Sequence, residues 1–247
     1  MGYLLIDPET DTPPHAKPPG PVTRALRHLM MRSARVVAVT SLSPRFRLIE
    51  LEGDDLKGVT WAQGQKVQLA VGRGLASRTY TPMAWDADVG RTRLLAFVHG
   101  DGPGSHWASG LRSGESCQFL GPRRSLDLAD PDTPVALFGD ETSFGMAATL
   151  GGDAISVFEA SDIAESRVVL AAIGLGRAMV IERCAGDGHL AEIGSVLTRH
   201  AASGEQLVLT GRAPSIQRVS QDLKQGGLAS SRIKAKAYWA PGKAGLD

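Results

Sequence analysis

The sequence predicts an antiparallel β-barrel followed by a parallel-sheet α/β domain, an α/β plus all-β fold class. Two observations carry that expectation. Up to roughly residue 125, short apolar runs alternate with glycine and proline turns, the spacing of antiparallel barrels and sandwiches. Beyond "SLDLADPDTP", strand-length apolar runs alternate with helical patterns, which builds a parallel sheet covered on both faces. The boundary falls near Asp130 to Pro134. It gives an N-terminal extension over 1–32, a barrel domain over 33–130 and an α/β domain over 131–247.

Each element has its own local signal. Asp7 to Pro21 is rich in proline and polar residues and reads as a flexible extension. "VTRALRHLMMRS" (22–33) sets Leu26, Leu29 and Met30 on one face of a short helix. From Ala34 the period changes. "ARVVAVTSLSPRFRLIELEG" holds two β-branched runs around "SLSPR", so two strands and a turn. "QKVQLAVG" alternates as a half-buried strand does. "SRTYTPMAW", "TRLLAFVHG" and "ESCQFLGPR" continue the barrel, with Pro82 ending the first because it offers no N–H to a ladder. In the second half the strands are "VALFGD", "AISVFEA", "AMVIERC", "EQLVLTG" and "RIKAKAYW". The helices between them are "ETSFGMAATL", "DIAESRVVLAAIG", "HLAEIGSVLTRHAAS" and "PSIQRVSQDLKQGG".

Composition narrows the function classes. Of 247 residues, 43% are hydrophobic and 21% charged, as in ordinary soluble proteins. A net charge of +1 supplies no broad field for nucleic acid or an acidic membrane. No apolar run reaches the ~20 residues that span a bilayer, and the opening lacks a basic start and apolar core, so no secretory signal is expected. Cys117 and Cys184 form neither a metal-ligand spacing nor a disulfide framework, which points to a reducing, cytoplasmic compartment. The six histidines are scattered and read as surface or loop residues, so no metal site is expected.

Two stretches carry chemistry. In "SRTYTPM" (77–83), Arg78 and Tyr80 share one face of a strand, with Thr81 on the other unless the backbone bends. An edge strand with a solvated arginine accounts for this stretch alone. A ligand with a ring and phosphates accounts for it too, since arginine grips a diphosphate bidentately and tyrosine stacks. "HGDGPGSHWASG" (99–110) is a glycine loop feeding a helix, with Ser105 as N-cap. Free N–H groups and the helix dipole make such a junction an anion site. A flat ring system joined to a diphosphate, seated on an antiparallel barrel, is FAD.

These residues resemble known families. "RTYT" resembles the arginine-x-tyrosine-serine/threonine signature of ferredoxin reductase-like flavoproteins. "HGDGPGSHWA" resembles a segment of the siderophore-interacting proteins, FAD-dependent ferric siderophore reductases. "PRFRLIELEGDDL" (44–56), "ALFGDETSFGMAATL" (136–150) and "KAYWAPGKAGLD" (236–247) are similar to further segments of that family, in its order. The resemblance implies that Arg78 holds the FAD pyrophosphate within a signature that includes Thr79. It implies that Tyr80 stacks on the flavin ring and Thr81 hydrogen-bonds near its reactive nitrogen. His99, Gly100, Gly104 and Ser105 would wrap the diphosphate. Asp140, Glu141 and Thr142 would lie where NADPH or NADH brings its nicotinamide. Tyr238 and Trp239 would cover the flavin, or else simply pack a terminal strand.

Three departures bear on substrate and hydride donor. Gly211–Arg212 stands where the family has glycine-glutamate, so that Arg212 or Arg218 would meet a 2′-phosphate and favour NADPH. Ala240 and Pro241 replace two arginines, leaving Lys243 as the substrate-side cation, and "FGMAA" replaces a proline-containing segment. The implied activity passes hydride from NAD(P)H to FAD and electrons on to Fe(III) in a small-molecule siderophore, with Thr81, Tyr80 and Thr142 at the reacting atoms. Electron transfer to a protein partner and a non-catalytic flavin- or chelate-binding module remain as alternatives. A monomer is assumed.

Overall fold

The computed structural model describes residues 31–71, 76–126, 128 and 133–243. Nearly all of the predicted extension, and most of its helix over 22–33, lies outside the described residues. Both sheets belong to the compact unit that begins at Arg32.

Alternation builds the first sheet. Strands β1 (Arg32–Ser41), β2 (Phe46–Glu52), β3 (Lys66–Ala70), β4 (Ser77–Tyr80), β5 (Ala84–Asp86), β6 (Arg91–Phe97) and β7 (Ser116–Arg123) pair antiparallel. Their order is β4-β3-β7-β1-β2-β6-β5. Every second residue turns inward, so Val36, Ile49, Leu51, Val67, Leu69, Leu94, Ala96 and Phe119 meet in one core. A sheet whose strands all feed one core has to curl around it, as a barrel does. Each fully buried aliphatic or aromatic side chain there contributes roughly 1.5–3 kcal/mol. Helix α1 (Pro103–Gly110) follows β6, and Ala108 with Leu111 completes that core. The helix starts at Pro103 with Gly102 as N-cap, where proline is preorganised and its missing N–H costs nothing. Ser105 is therefore not the N-cap; it lies inside the first turn.

The second sheet is parallel. Strands β8 (Val135–Gly139), β9 (Ile155–Ala160), β10 (Met179–Glu182), β11 (Gln206–Arg212) and β12 (Ile233–Trp239) run in the order β10-β9-β8-β11-β12. Helices α2 (Phe144–Leu150), α3 (Ile163–Ala172), α4 (Leu190–Ala202) and α5 (Ala213–Gln225) connect them. Both faces are buried, which is why these strands read as unbroken apolar runs. Ala136 and Phe138 feed one core with α4 and α5, while Leu137 feeds the other with α2 and α3. Strand order reverses between β8 and β11. Open α/β sheets bind ligands at the carboxyl ends of the strands at such a switch.

The two sheets share the second of those cores. Phe46 of β2 stacks on Phe144 of α2 at 5.3 Å and 3°. Beside it, Glu165 of α3 accepts from Ser43 Oγ (2.7 Å), Arg45 N (3.0 Å) and Arg45 Nε (2.6 Å). This packing fixes the gap in which the candidate site lies. No described helix is long and apolar enough to cross a membrane.

Candidate active site

A cleft of about 680 Å³ opens between the sheets. It is lined by Arg78, Thr79, Tyr80, Thr81, His99, Gly100, Gly104, Ser105, Thr142, Tyr238, Trp239 and Lys243. Residues far apart in sequence are thus brought together. Asp140, Glu141 and Arg212 do not line it.

One wall comes from the barrel. Arg78 lies on the edge strand β4, opposite Leu69, and Tyr80 lies opposite Val67. Arg78 Nη1 donates to the Ser77 carbonyl at 2.7 Å, and no described acidic side chain forms a salt bridge with it. Gly104 lets α1 come up against this arginine, since a Cβ there would sit 3.0 Å from Arg78 Cγ and 3.6 Å from the Tyr80 hydroxyl. Tyr80 packs on Trp107 at 5.7 Å. Burial pushes its phenol up to about 12, with Arg78 pulling the other way, so it stays a neutral donor. The glycine loop is closed by Ser105, whose hydroxyl accepts from His99 N–H (3.0 Å) and donates to the His99 carbonyl (2.7 Å). That hydroxyl shapes the loop. The His99 ring stacks on Phe97 at 5.2 Å and tilts against Trp239 at 5.8 Å. Burial holds His99 below its ordinary value, with Glu141 opposing and Arg183 reinforcing.

The other wall comes from the parallel sheet. Asp140 leaves β8 at the switch point but turns inward and is fully buried. Its Oδ1 accepts from Thr142 N–H at 2.9 Å and from the Thr142 hydroxyl, and its Oδ2 accepts from Trp239 Nε1–H at 2.6 Å. It therefore sets the position of two lining residues without touching the cleft. Gly211 backs it at φ +99°; a Cβ there would lie 2.6 Å from Asp140 Oδ1, so only glycine fits. Burial pushes Asp140 up to about 6 against the pull of the Thr142 and Trp239 donors.

Glu141 faces away from the cleft. It accepts from Ser161 N–H (2.6 Å) and Oγ–H (2.7 Å) and pairs with Arg183 at 2.7 Å. Burial alone would raise this carboxyl, but Arg183 and the Ser161 donors outweigh it and hold it below its ordinary value. Arg212 ends β11 and pairs with Asp187 at 2.9 Å and with Ser215 Oγ at 2.8 Å. Tyr238 lies near the end of the terminal strand β12. It lines the cleft, and its hydroxyl meets those of Thr81 and Thr210, while burial pushes it up to about 12.

Residues 72–126 match the family model for the siderophore-interacting FAD-binding domain. That stretch holds the arginine strand and the glycine loop, and it bears out the resemblance read from the sequence. A siderophore utilization protein from T. fusca is similar over 88% of this chain and 95% of its own, at 22% identity and TM-score 0.65. The siderophore-interacting protein SipS from Aeromonas hydrophila is similar over 87% of this chain and 93% of its own, at 17% identity and TM-score 0.63. The ferredoxin reductase in carbazole 1,9a-dioxygenase is similar over 85% of this chain and 69% of its own, at 15% identity and TM-score 0.69. The fold is that of ferredoxin reductase-like FAD/NAD-binding proteins. No curated protein matches the chain.

The site suits the cofactor of an FAD-binding domain on its own terms. A guanidinium without a described carboxylate beside it, a helix brought close by a glycine and a half-buried neutral phenol fit a diphosphate attached to a ring. Two further cations, Lys66 and Lys236, also line the cleft. Lys236 was legible, since in "RIKAKAYW" alternation sets it on the same face as Tyr238. Lys66 carries no local signal; it reaches the cleft only through the pairing of β3 with β4 and β7.

Proposed function

We propose that this chain is an FAD-dependent oxidoreductase that takes hydride from NADPH or NADH and delivers electrons to Fe(III) held in a siderophore, releasing Fe(II). The observation that carries the reading is Arg78, a cation with no described carboxylate partner at the mouth of a glycine loop. Support comes from the FAD-binding domain match and from the names of the structural neighbours. FAD, when bound, supplies the conversion of a two-electron hydride into single electrons. The chain's part is to bind and to orient. Arg78 would hold the diphosphate, and the Gly100–Gly104 loop would offer backbone N–H groups to it. Tyr80 would pack the ring, and Thr81 and Thr142 would offer hydroxyls from the cleft lining. Asp140 keeps Thr142 and Trp239 in position. Lys236 and Lys243 line the cleft together with Arg78, and Asp101 is the acidic residue among its described lining, a balance that favours anionic ligands.

The test is to titrate purified protein with FAD and add NADPH or NADH without oxygen, with and without a ferric chelate. The expected result is bleaching of the flavin by the nucleotide and its recovery by the chelate, with Fe(II) formed. Rapid bleaching without chelate reduction would instead support electron transfer to a protein partner. No bleaching would support a non-catalytic binding module.

A further inference from the structure

Away from the cleft, the carboxyl end of the parallel sheet carries a second constellation that the proposed chemistry does not use. Cys184 follows β10 and is exposed. Its Sγ lies 3.5 Å from Nδ1 of His189, whose side chain is almost fully buried. His189 Nε2 lies 2.7 Å from Oε2 of Glu159, a fully buried carboxylate on the neighbouring β9. Ser215 donates to the other Glu159 oxygen at 2.7 Å.

The tautomer is set by the partners. Glu159 accepts, so Nε2 carries the proton. The backbone N–H of Cys184 points at Nδ1 at 3.4 Å, so Nδ1 is a lone pair. A thiol therefore faces a base that is oriented by a buried carboxylate, the arrangement that activates sulfur nucleophiles. The turn that makes it is unusual. Gly186 and Asp187 both adopt positive φ, +77° and +57°, which folds His189 back onto Cys184. Arg212 holds Asp187 in that conformation at 2.9 Å. These residues are scattered in the sequence and form no motif there.

We propose that Cys184 is a thiol–disulfide exchange site for low-molecular-weight disulfides. The Cys184 S–H proton passes to His189 Nδ1, and the thiolate attacks one sulfur of the disulfide. The S–S bond breaks, the new Cys184 mixed disulfide forms, and the departing thiolate takes the proton back from His189. Cys184 is oxidised and the departing sulfur reduced. The reaction stops there, because the chain's other cysteine, Cys117, is buried in the barrel core with its thiol pushed up to about 12 by burial.

The experiment treats the full-length protein at about pH 7 with glutathione disulfide and follows the adduct by intact-mass and peptide mass spectrometry. The same chain unfolded in guanidinium chloride serves as the ordinary thiol. An ordinary thiol is only about 3% thiolate at that pH. Ionisation raises the rate, and the weaker nucleophilicity of a more acidic thiol offsets part of the gain. The expected outcome is one adduct, at Cys184, formed at least about threefold faster in native than in unfolded protein. His189→Asn should bring the native rate down to the unfolded one, and Cys184→Ser should abolish the adduct. Equal native and unfolded rates, or modification at Cys117 first, overturn the proposal. If His189→Asn does not fold, the comparison of native with unfolded wild type still decides.

Discussion

Arg78 and Arg212 are both arginines that sequence reasoning assigns to phosphate groups, yet their surroundings are opposite. Arg78 reaches the cleft with no described carboxylate beside it, whereas Arg212 is engaged by Asp187 and Ser215. The same division separates the two cleft walls. On the barrel wall a cation is left for a ligand. Behind the parallel-sheet wall Asp140 and Glu141 are saturated by Thr142, Trp239, Ser161 and Arg183. A charge already matched inside the protein sets shape, because separating it from its partner leaves a buried ion uncompensated. A charge left unmatched is available for recognition. Substitutions in the first group should move stability, and those in the second should move binding.

The largest effect is expected from Glu141→Gln. It breaks a buried ion pair and should cost on the order of 3 kcal/mol of unfolding free energy near neutral pH, read by urea denaturation. The lowered carboxyl sets the sign of the pH dependence. Its stabilisation is complete above the ordinary value of 4.5 and is lost as pH falls through the lower folded value. The gap between wild type and variant should therefore close in acid. A variant that lost flavin affinity while keeping wild-type stability would break the comparison, because Glu141 would then be acting at the cleft.

Next comes Arg78→Ala, with the opposite profile. Loss of one charge-assisted contact is worth roughly 1.5–3 kcal/mol, or about ten- to a hundredfold in FAD affinity. The melting temperature of the apoprotein should stay where it is. Flavin fluorescence titration checks the first statement and calorimetry the second. Undiminished affinity would remove Arg78 from the diphosphate.

How much of the molecule is legible in its sequence depends on whether the signal is local. The strands are legible because period-two alternation and continuous apolar runs report directly on one or two buried faces. "RTYT" and the glycine loop are legible because a strand and a turn display their residues locally. The direction in which Asp140 points is not. It is set by Trp239, 99 positions away, and by Gly211 behind it, and no local pattern encodes a contact of that span. Arg212 escapes for the same reason: its partner Asp187 reaches it from the turn after a different strand. Ser105 is displaced from the N-cap because Pro103 already supplies the first helical residue.

Trp239→Phe sharpens the picture at a middle magnitude. It removes an indole N–H from Asp140 and should cost about 1–2 kcal/mol near neutral pH. In the wild type the folded carboxyl lies at about 6 against an ordinary 3.8, so the folded state holds this proton more tightly. The Asp140 contribution to stability therefore falls as pH rises from about 4 to about 6 and is level above. Without the indole donor the carboxyl climbs further. The deficit of the variant should then stay small up to about pH 6 and widen as pH rises beyond it, as thermal melts from about pH 4 to about pH 8 would record. A deficit independent of pH would mean that Trp239 acts by packing alone.

The smallest effect should come from Arg212→Ala, and it returns to the pair of arginines. The Arg212–Asp187 pair is partly exposed, with 16% and 35% of each side chain accessible. Such a pair is worth about 0.5–1 kcal/mol, and the Ser215 hydrogen bond adds a comparable amount at most. Asp187 would keep its left-handed conformation without its clamp, so local loosening should appear as faster amide exchange between Cys184 and His189 rather than as a large fall in melting temperature. FAD affinity should not change, since Arg212 does not line the cleft. Preference between NADPH and NADH should change little, because the guanidinium is engaged by Asp187 and Ser215. A selective loss of NADPH use in this variant, with NADH use intact, would show that Arg212 leaves its partners to meet a 2′-phosphate, and the distinction between matched and unmatched arginines would fail at the residue where it is tested most directly.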